Sequence, residues 1–207
     1  MGADPILIDL PDEILTDRLV IRPPRPGTGA VIREAVLESV ESLRPWMEWA
    51  QRPASAEEQE ALVRGWAAEF QARRDLPLHL WDRETGAFVG GSGLHRIGWR
   101  LRRFEIGYWC RDAYVGRGLV TEAVRAITAL AFERLDARRV EIRCDTRNHR
   151  SAAVAERAGF VHESTRLCDD LAPDGSVRDT HVFRLVRAEY DALRARASQP
   201  RTAPSTA

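Results

Sequence analysis

The residues able to do chemistry concentrate between positions 104 and 160. At the centre stands Tyr114-Val115-Gly116-Arg117-Gly118-Leu119, between a strand-like run at 104–110 and a helix-like run at 119–135. Glycines that open a helix leave several backbone N–H groups without helical partners, and the helix dipole adds partial positive charge at the same point. Such a turn suits an anion, phosphate above all. Taken alone, Gly-x-Gly is equally an ordinary tight turn. A dinucleotide fingerprint needs a third glycine where Thr121 stands, which sets a Rossmann oxidoreductase aside. Strand alternation puts Glu105, Gly107 and Trp109 on one face, and Cys110 ends that strand. Cys110 is a nucleophile by type, but no His-Asp pattern adjoins it to take its proton. Asn148 and Ser151 open a later short helix, Asn148 as a natural N-cap. His95, Glu163, Asp169 and Asp170 are further candidates for a proton acceptor, though His95 on a Gly-rich strand reads rather as a structural histidine.

The elements that must position these residues can be read from pattern. A first strand at 16–23 ends at Pro23 and Pro24. Helices follow at 31–43 and 55–73, the second with Ser55 as N-cap and Glu58 three residues on, a capping box. Strands at 77–82 and 87–97 flank turn-type residues and form a hairpin, in which Gly90, Gly91 and Gly93 indicate a bulge or a close backbone approach. After the 104–110 strand and the 119–135 helix, residues 139–146 alternate Val140, Ile142 and Cys144 against Glu141, Arg143 and Asp145, a half-buried strand. A short helix closes at Gly159, a hairpin at 160–168 and 177–186 surrounds Pro173-Asp174-Gly175-Ser176, and residues 187–196 are a last helix. This order gives a mixed sheet with helices on both faces. Residues 1–15 form an N-terminal extension, 16–197 one domain, and the Pro-, Ser- and Thr-rich 198–207 a disordered tail.

Several ordered motifs resemble the GNAT N-acetyltransferases, and within them the RimJ/RimL type that acetylates protein N-termini. They are Glu105-Ile106-Gly107-Tyr108-Trp109, Gly116-Arg117-Gly118-Leu119-Val120-Thr121-Glu122-Ala123, Asn148-His149-Arg150-Ser151 and Ala158-Gly159-Phe160. Thr16-Asp17-Arg18-Leu19 and Leu43-Arg44-Pro45-Trp46 resemble that family's N-terminal part. The resemblance implies an α+β GNAT fold, with a mixed, mostly antiparallel sheet of about six or seven strands. It implies acetyl-CoA as co-substrate, its pyrophosphate on the backbone amides of Gly116, Arg117, Gly118, Leu119 and Val120, and its pantetheine arm along the strand through Trp109 and Cys110. Asn148 and Ser151 would order that arm, Ser151 as the donor to the leaving thiolate. Glu105 would serve as base, Trp46 and Trp49 would border the acceptor, and backbone N–H groups near Trp109 and Cys110 would stabilise developing charge. Trp81 is a further aromatic that could line the acceptor pocket. The acceptor is a protein N-terminal amine or a small amine, which attacks the thioester directly in a ternary complex with no protein nucleophile between them. A monomer or a homodimer is implied, the homodimer preferred. Two positions depart from the pattern: Ala113 replaces a frequent Gln or Arg, and Ala155 a frequent acidic tyrosine. The second leaves open a non-catalytic acetyl-CoA sensor, and the bare turn leaves open an unrelated nucleotide-binding domain.

Composition narrows the alternatives. The chain carries 31 basic and 31 acidic residues, so no charge excess drives counterion release from nucleic acid. It contains no lysine, which excludes a Schiff base and a P-loop lysine. Cys110, Cys144 and Cys168 show no paired spacing, which fits a reducing cytoplasm better than a disulfide framework or a metal site. No basic-then-apolar leader and no apolar run of about 18 residues is present, so neither secretion nor a membrane span is expected.

Overall fold

The computed structural model describes residues 4–197. β1 (Ile14–Leu15) pairs antiparallel with β2 (Leu19–Arg22), where Leu19 and Ile21 are buried. α1 (Gly29–Leu43) precedes a one-turn 3-10 segment at Glu48–Ala50. α2 (Ala56–Gln71) opens on the full capping box: Ser55 Oγ accepts from the Glu58 N–H at 3.1 Å, and the Glu58 carboxylate accepts from the Ser55 N–H at 2.8 Å. β3 (Leu76–Asp82), β4 (Phe88–Gly98) and β5 (Arg103–Cys110) form an antiparallel meander. α3 (Leu119–Glu133) buries Leu119, Ala123, Val124, Ile127 and Ala131 at helical spacing. It returns the chain to β6 (Arg139–Asp145), which is parallel to β5, and a parallel neighbour needs such a crossover. α4 (His149–Arg157), the hairpin of β7 (Val161–Leu171) and β8 (Val177–Val186), and α5 (Arg187–Ala197) complete the order.

The sheet has eight strands in the order β1-β2-β3-β4-β5-β6-β8-β7, and β5–β6 is its parallel pair. On one face α3 packs its apolar stripe against Phe104, Ile106, Val140 and Ile142. On the other, Ile32, Ala35, Val36 and Val63 of α1 and α2 pack against Trp81 and Phe88. Each large side chain so buried contributes roughly 1.5–3 kcal/mol by leaving water.

Two details depart from the sequence reading, and one expectation is untested. Ile14 and Leu15, placed there in the extension, are an edge strand of the sheet; two residues are too few to show a period. β6 is not half-buried: Glu141 and Asp145 are buried too, because Arg139 and Arg147 satisfy their carboxylates at 2.6 and 2.7 Å. The tail expected at 198–207 lies outside the described residues.

Candidate active site

The parallel pairing of β5 with β6 is short. It joins Arg103, Phe104 and Glu105 to Arg139, Val140 and Glu141 and stops there. β5 continues against β4 as far as Cys110, and β6 against β8 as far as Asp145, so the sheet splits between them. Beyond Glu105 the edge of β5 that faces β6 offers main-chain groups to something other than a strand. The glycine turn follows this split. Gly116 and Gly118 have φ of +80° and +76°, and Gly118 is the N-cap of α3. Among the described residues no acceptor takes the backbone N–H groups from Gly116 to Thr121. Six unpartnered donors beside the end of a helix dipole fit a pyrophosphate.

The turn is braced from behind. Arg18 donates to the Arg117 carbonyl at 2.8 Å and pairs with the Glu122 carboxylate at 2.7 Å. Glu122 also accepts from Thr16 Oγ1 at 2.6 Å and from the Arg18 N–H at 2.9 Å. Burial pushes the Glu122 carboxyl up, but these donors outweigh it and hold it below the ordinary glutamate value.

On the α1–α2 face, a cavity of about 740 Å³ lies over the middle of β3, β4 and β5. Glycines clear its floor. A Cβ at Gly91 would stand 2.5 Å from Trp109 Nε1, and one at Gly107 would stand 3.3 Å from His95 Cδ2. The Trp109 indole and the His95 imidazole therefore lie against the sheet where any side chain would displace them. Both oxygens of Asp75 stand 2.9 Å from His95 Nδ1. The tautomer that donates Nδ1–H to Asp75 is the one whose Nε2 is an acceptor, and among the described residues Nε2 has no partner. Trp49 packs edge-on to Trp109 at 5.6 Å and lines the cavity. His79 lines it too, between Trp66 and Phe88, and burial pushes its imidazole down to about 4.

The structure distributes the other sequence candidates as follows. Glu105 stands at the apex of the split, outside the cavity lining, with its carboxylate held by Arg96 at 3.0 Å from each oxygen. Trp46 and Trp81 are also absent from the cavity lining, Trp81 being buried against Phe88. Glu163, Asp169 and Asp170 pair with Arg139, Arg143 and Arg178 around the β7–β8 hairpin and reach neither cavity nor split. Cys110 borders the split, but burial pushes its thiol up to about 11, with Asp112 adding to the effect. Asn148 accepts from the Ser151 N–H at 3.0 Å. Ser151 meets Tyr108, whose hydroxyl stands 2.9 Å from the Ser151 carbonyl and 3.0 Å from its Oγ. Burial drives the Tyr108 phenol well above its ordinary value. Such a phenol is a poor acid for a thiolate of pKa about 8.5, so Tyr108 positions Ser151 and α4. Ala155 is fully buried in the core, leaving no room there for a tyrosine.

Sequence reading passed over Asp75, Tyr108, Trp66 and Gln59. Only Tyr108, inside a quoted motif, carried a local signal. Asp75 becomes visible through strand register alone: Leu76 pairs with Leu94, so the next pair outward is Asp75 and His95.

A sheet split beside an amide cradle, with a cavity on one face of the same strand, is the arrangement of an acyl-CoA transferase. Residues 18–161, more than half of the chain, match the Acetyltransferase (GNAT) domain, and the chain belongs to that family. A Bacillus subtilis (strain 168) protein named "Putative ribosomal N-acetyltransferase YdaF" is 28% identical over 179 residues, 86% of this chain and 96% of that protein. The "Ribosomal-protein-serine acetyltransferase" of Escherichia coli (strain K12) is 32% identical over 75 residues, 36% of this chain and 42% of that one. Among solved structures, one described as "Probable acetyltransferase" superposes with a TM-score of 0.79 at 27% identity, covering 86% of this chain and 98% of that one. RimL, an L7/L12 alpha-N-protein acetyltransferase solved with coenzyme A, gives 0.78 at 22% identity over 84% of this chain and 96% of that one, a likeness of fold. The chain is thus an N-acetyltransferase that draws its acetyl group from acetyl-CoA. The sensor reading falls with this assignment. Among the described residues no helix is long and apolar enough to cross a membrane, and no cluster of three or more His, Cys, Asp or Glu could hold a metal ion.

Proposed function

We propose that the chain acetylates a primary amine, the α-amine of a protein or a small amine, in the cytoplasm and by direct attack within a ternary complex. The observation that carries this reading is the double use of β5. Gly107 and Trp109 floor the cavity, and the same strand is unpaired toward β6 from Ile106 onward. An amine in the cavity and a thioester along the split meet across one strand.

Acetyl-CoA supplies the thioester: the C–N bond forms as the C–S bond breaks, and sulfur leaves as thiolate. The chain supplies position and proton transfer. The amides from Gly116 to Val120 hold the pyrophosphate, and the open edge through Trp109 and Cys110 holds the pantetheine arm. His95, oriented by Asp75, takes the proton that the amine loses. This gives His95 the base role that sequence reading assigned to Glu105, whose carboxylate is tied to Arg96. Asn148 fixes the first turn of α4, and Ser151 directs a hydrogen bond toward the leaving sulfur. A thiolate with pKa about 8.5 leaves without a strong acid, so Ser151 need only donate that bond.

The reading is tested with His95→Ala and Asp75→Asn. We expect His95→Ala to lower kcat about 100-fold or more, and Asp75→Asn less, both with unchanged melting stabilisation by acetyl-CoA. Full turnover in His95→Ala, with loss in Glu105→Gln, would return the base role to Glu105.

A further inference from the structure

The cavity's lining is uneven in a way that bears on the acceptor. Its walls are apolar and aromatic, with Trp49, Trp66, Phe88 and Trp109 around them. Most of its polar side chains are already committed: Glu58 to Ser55 and Arg52, Asp75 to His95, and Ser92 Oγ to the Gly107 carbonyl at 2.8 Å. The backbone beneath is spent on the β3–β4–β5 ladder. Three are not: His79 Nδ1 is buried without a partner, His95 Nε2 has none among the described residues, and neither has Gln59, on α2. Gln59 is 4% exposed, it lines the cavity, and its carboxamide makes no hydrogen bond among the described residues. Its amide oxygen and nitrogen are not among the fully buried unpartnered atoms, so a polar group placed in the cavity can reach them.

A peptide laid through this space would bury an N–H and a C=O with every residue and find few groups to meet them. A small polar amine would leave the aromatic walls uncovered. An aromatic body covers about 150–250 Å² of such wall and brings few polar atoms.

Building on the acetyl-transfer reading above, we propose that the cavity selects a primary amine borne on an aromatic body, and that Gln59 hydrogen-bonds one polar group of that body. The selectivity is for a ring within a few bonds of the nucleophilic nitrogen. Both a free arylalkylamine and a protein's aromatic first residue present that chemistry. His95 lies on the same floor, so the amine turns toward β5 while the ring lies among the tryptophans.

The test is a thiol-release assay at saturating acetyl-CoA with 2-phenylethylamine, phenylalaninamide and ethanolamine, and with two peptides that differ only in starting with Phe or Ser. We expect kcat/KM for an aromatic acceptor about 100-fold above its polar counterpart, the gain from burying one aromatic side chain. Turnover of the free amines alone places the source among small molecules; turnover of the Phe peptide places it at a protein N-terminus. Gln59→Leu should raise KM for phenylalaninamide about tenfold, leave 2-phenylethylamine within twofold, and leave the acetyl-CoA KM unchanged. Trp66→Ala should raise KM for both aromatic amines. Equal turnover of Ser and Phe peptides, or of ethanolamine and 2-phenylethylamine, overturns the selectivity while leaving acetyl transfer standing. No turnover of any aromatic amine overturns it as well. A missing melting shift with acetyl-CoA would instead sink the acetyl-transfer reading beneath it.

Discussion

At the scale of single residues, protonation states decide which groups take part. Cys110 borders the split sheet, yet burial and Asp112 push its thiol up to about 11. At neutral pH it is a thiol, and a thiol is a weak nucleophile. We expect Cys110→Ala to retain kcat within about threefold, and intact-mass measurement during turnover to show no acetylated enzyme; an acetyl adduct that disappears in Cys110→Ala would establish a covalent route. Tyr108 argues the same way from the other side. Burial raises its pKa, so its hydrogen bonds to Ser151 anchor α4 and are not steps in a proton transfer.

At the scale of elements, the start of α3 depends on a left-handed N-cap and one half-buried brace. Gly118 holds φ +76°, and a Cβ there would meet nothing nearer than Arg18 Nη2 at 3.7 Å. Space is available; the backbone conformation is what forbids a side chain. Gly118→Val should therefore cost about 1–2 kcal/mol of stability and remove the melting shift with acetyl-CoA, since the cradle's amides turn away. A normal shift in that variant would detach the turn from the pyrophosphate. The Glu122 brace acts on the same element from Thr16 and Arg18 in the β1–β2 turn. The pair Asp75–His95 belongs to this scale as well. Trp81 pairs with Phe88, and continuing that register would set Asp75 opposite Leu94. The irregularity between Leu80 and Trp81 shifts the register by one, so that Leu80 meets Gly90 and Asp75 falls opposite His95.

At the scale of the whole molecule, the α1–α2 face holds a histidine that burial keeps neutral. His79 is 4% exposed and its imidazole is pushed down to about 4 from an ordinary 6.5, by burial first and by Arg22 second. Between these values the unfolded chain binds the proton and the folded chain does not. Stability from this group is complete above pH 6.5 and is lost as pH falls from 6.5 to about 4, a total of about 3 kcal/mol. Denaturant unfolding at pH 7 and pH 4.5 should show the difference, and His79→Leu should flatten it. An equal decline in the variant would assign the pH dependence to the carboxylates.

The sequence by itself determined the elements and the glycine turn on which the proposed cofactor half of the site rests. Capping residues, the period of apolar positions and the glycine turn are local, so Ser55, Asn148, Gly118 and the α3 stripe were legible without tertiary information. The proposed acetyl-CoA cradle was legible for the same reason, being built of consecutive backbone amides. The acceptor half was decided only by the tertiary structure. Its members come from α1, α2, β3, β4 and β5, and no spacing along the chain ties Gln59 to Trp109 or Asp75 to His95. Strand alternation correctly set Glu105, Gly107 and Trp109 in line, but it could not say where along β5 the sheet splits. That point depends on where β6 stops pairing. It turned Glu105 into an ion-paired residue at the apex and left the cavity floor to Gly107, Trp109 and a histidine that the glycines around it allow to lie flat.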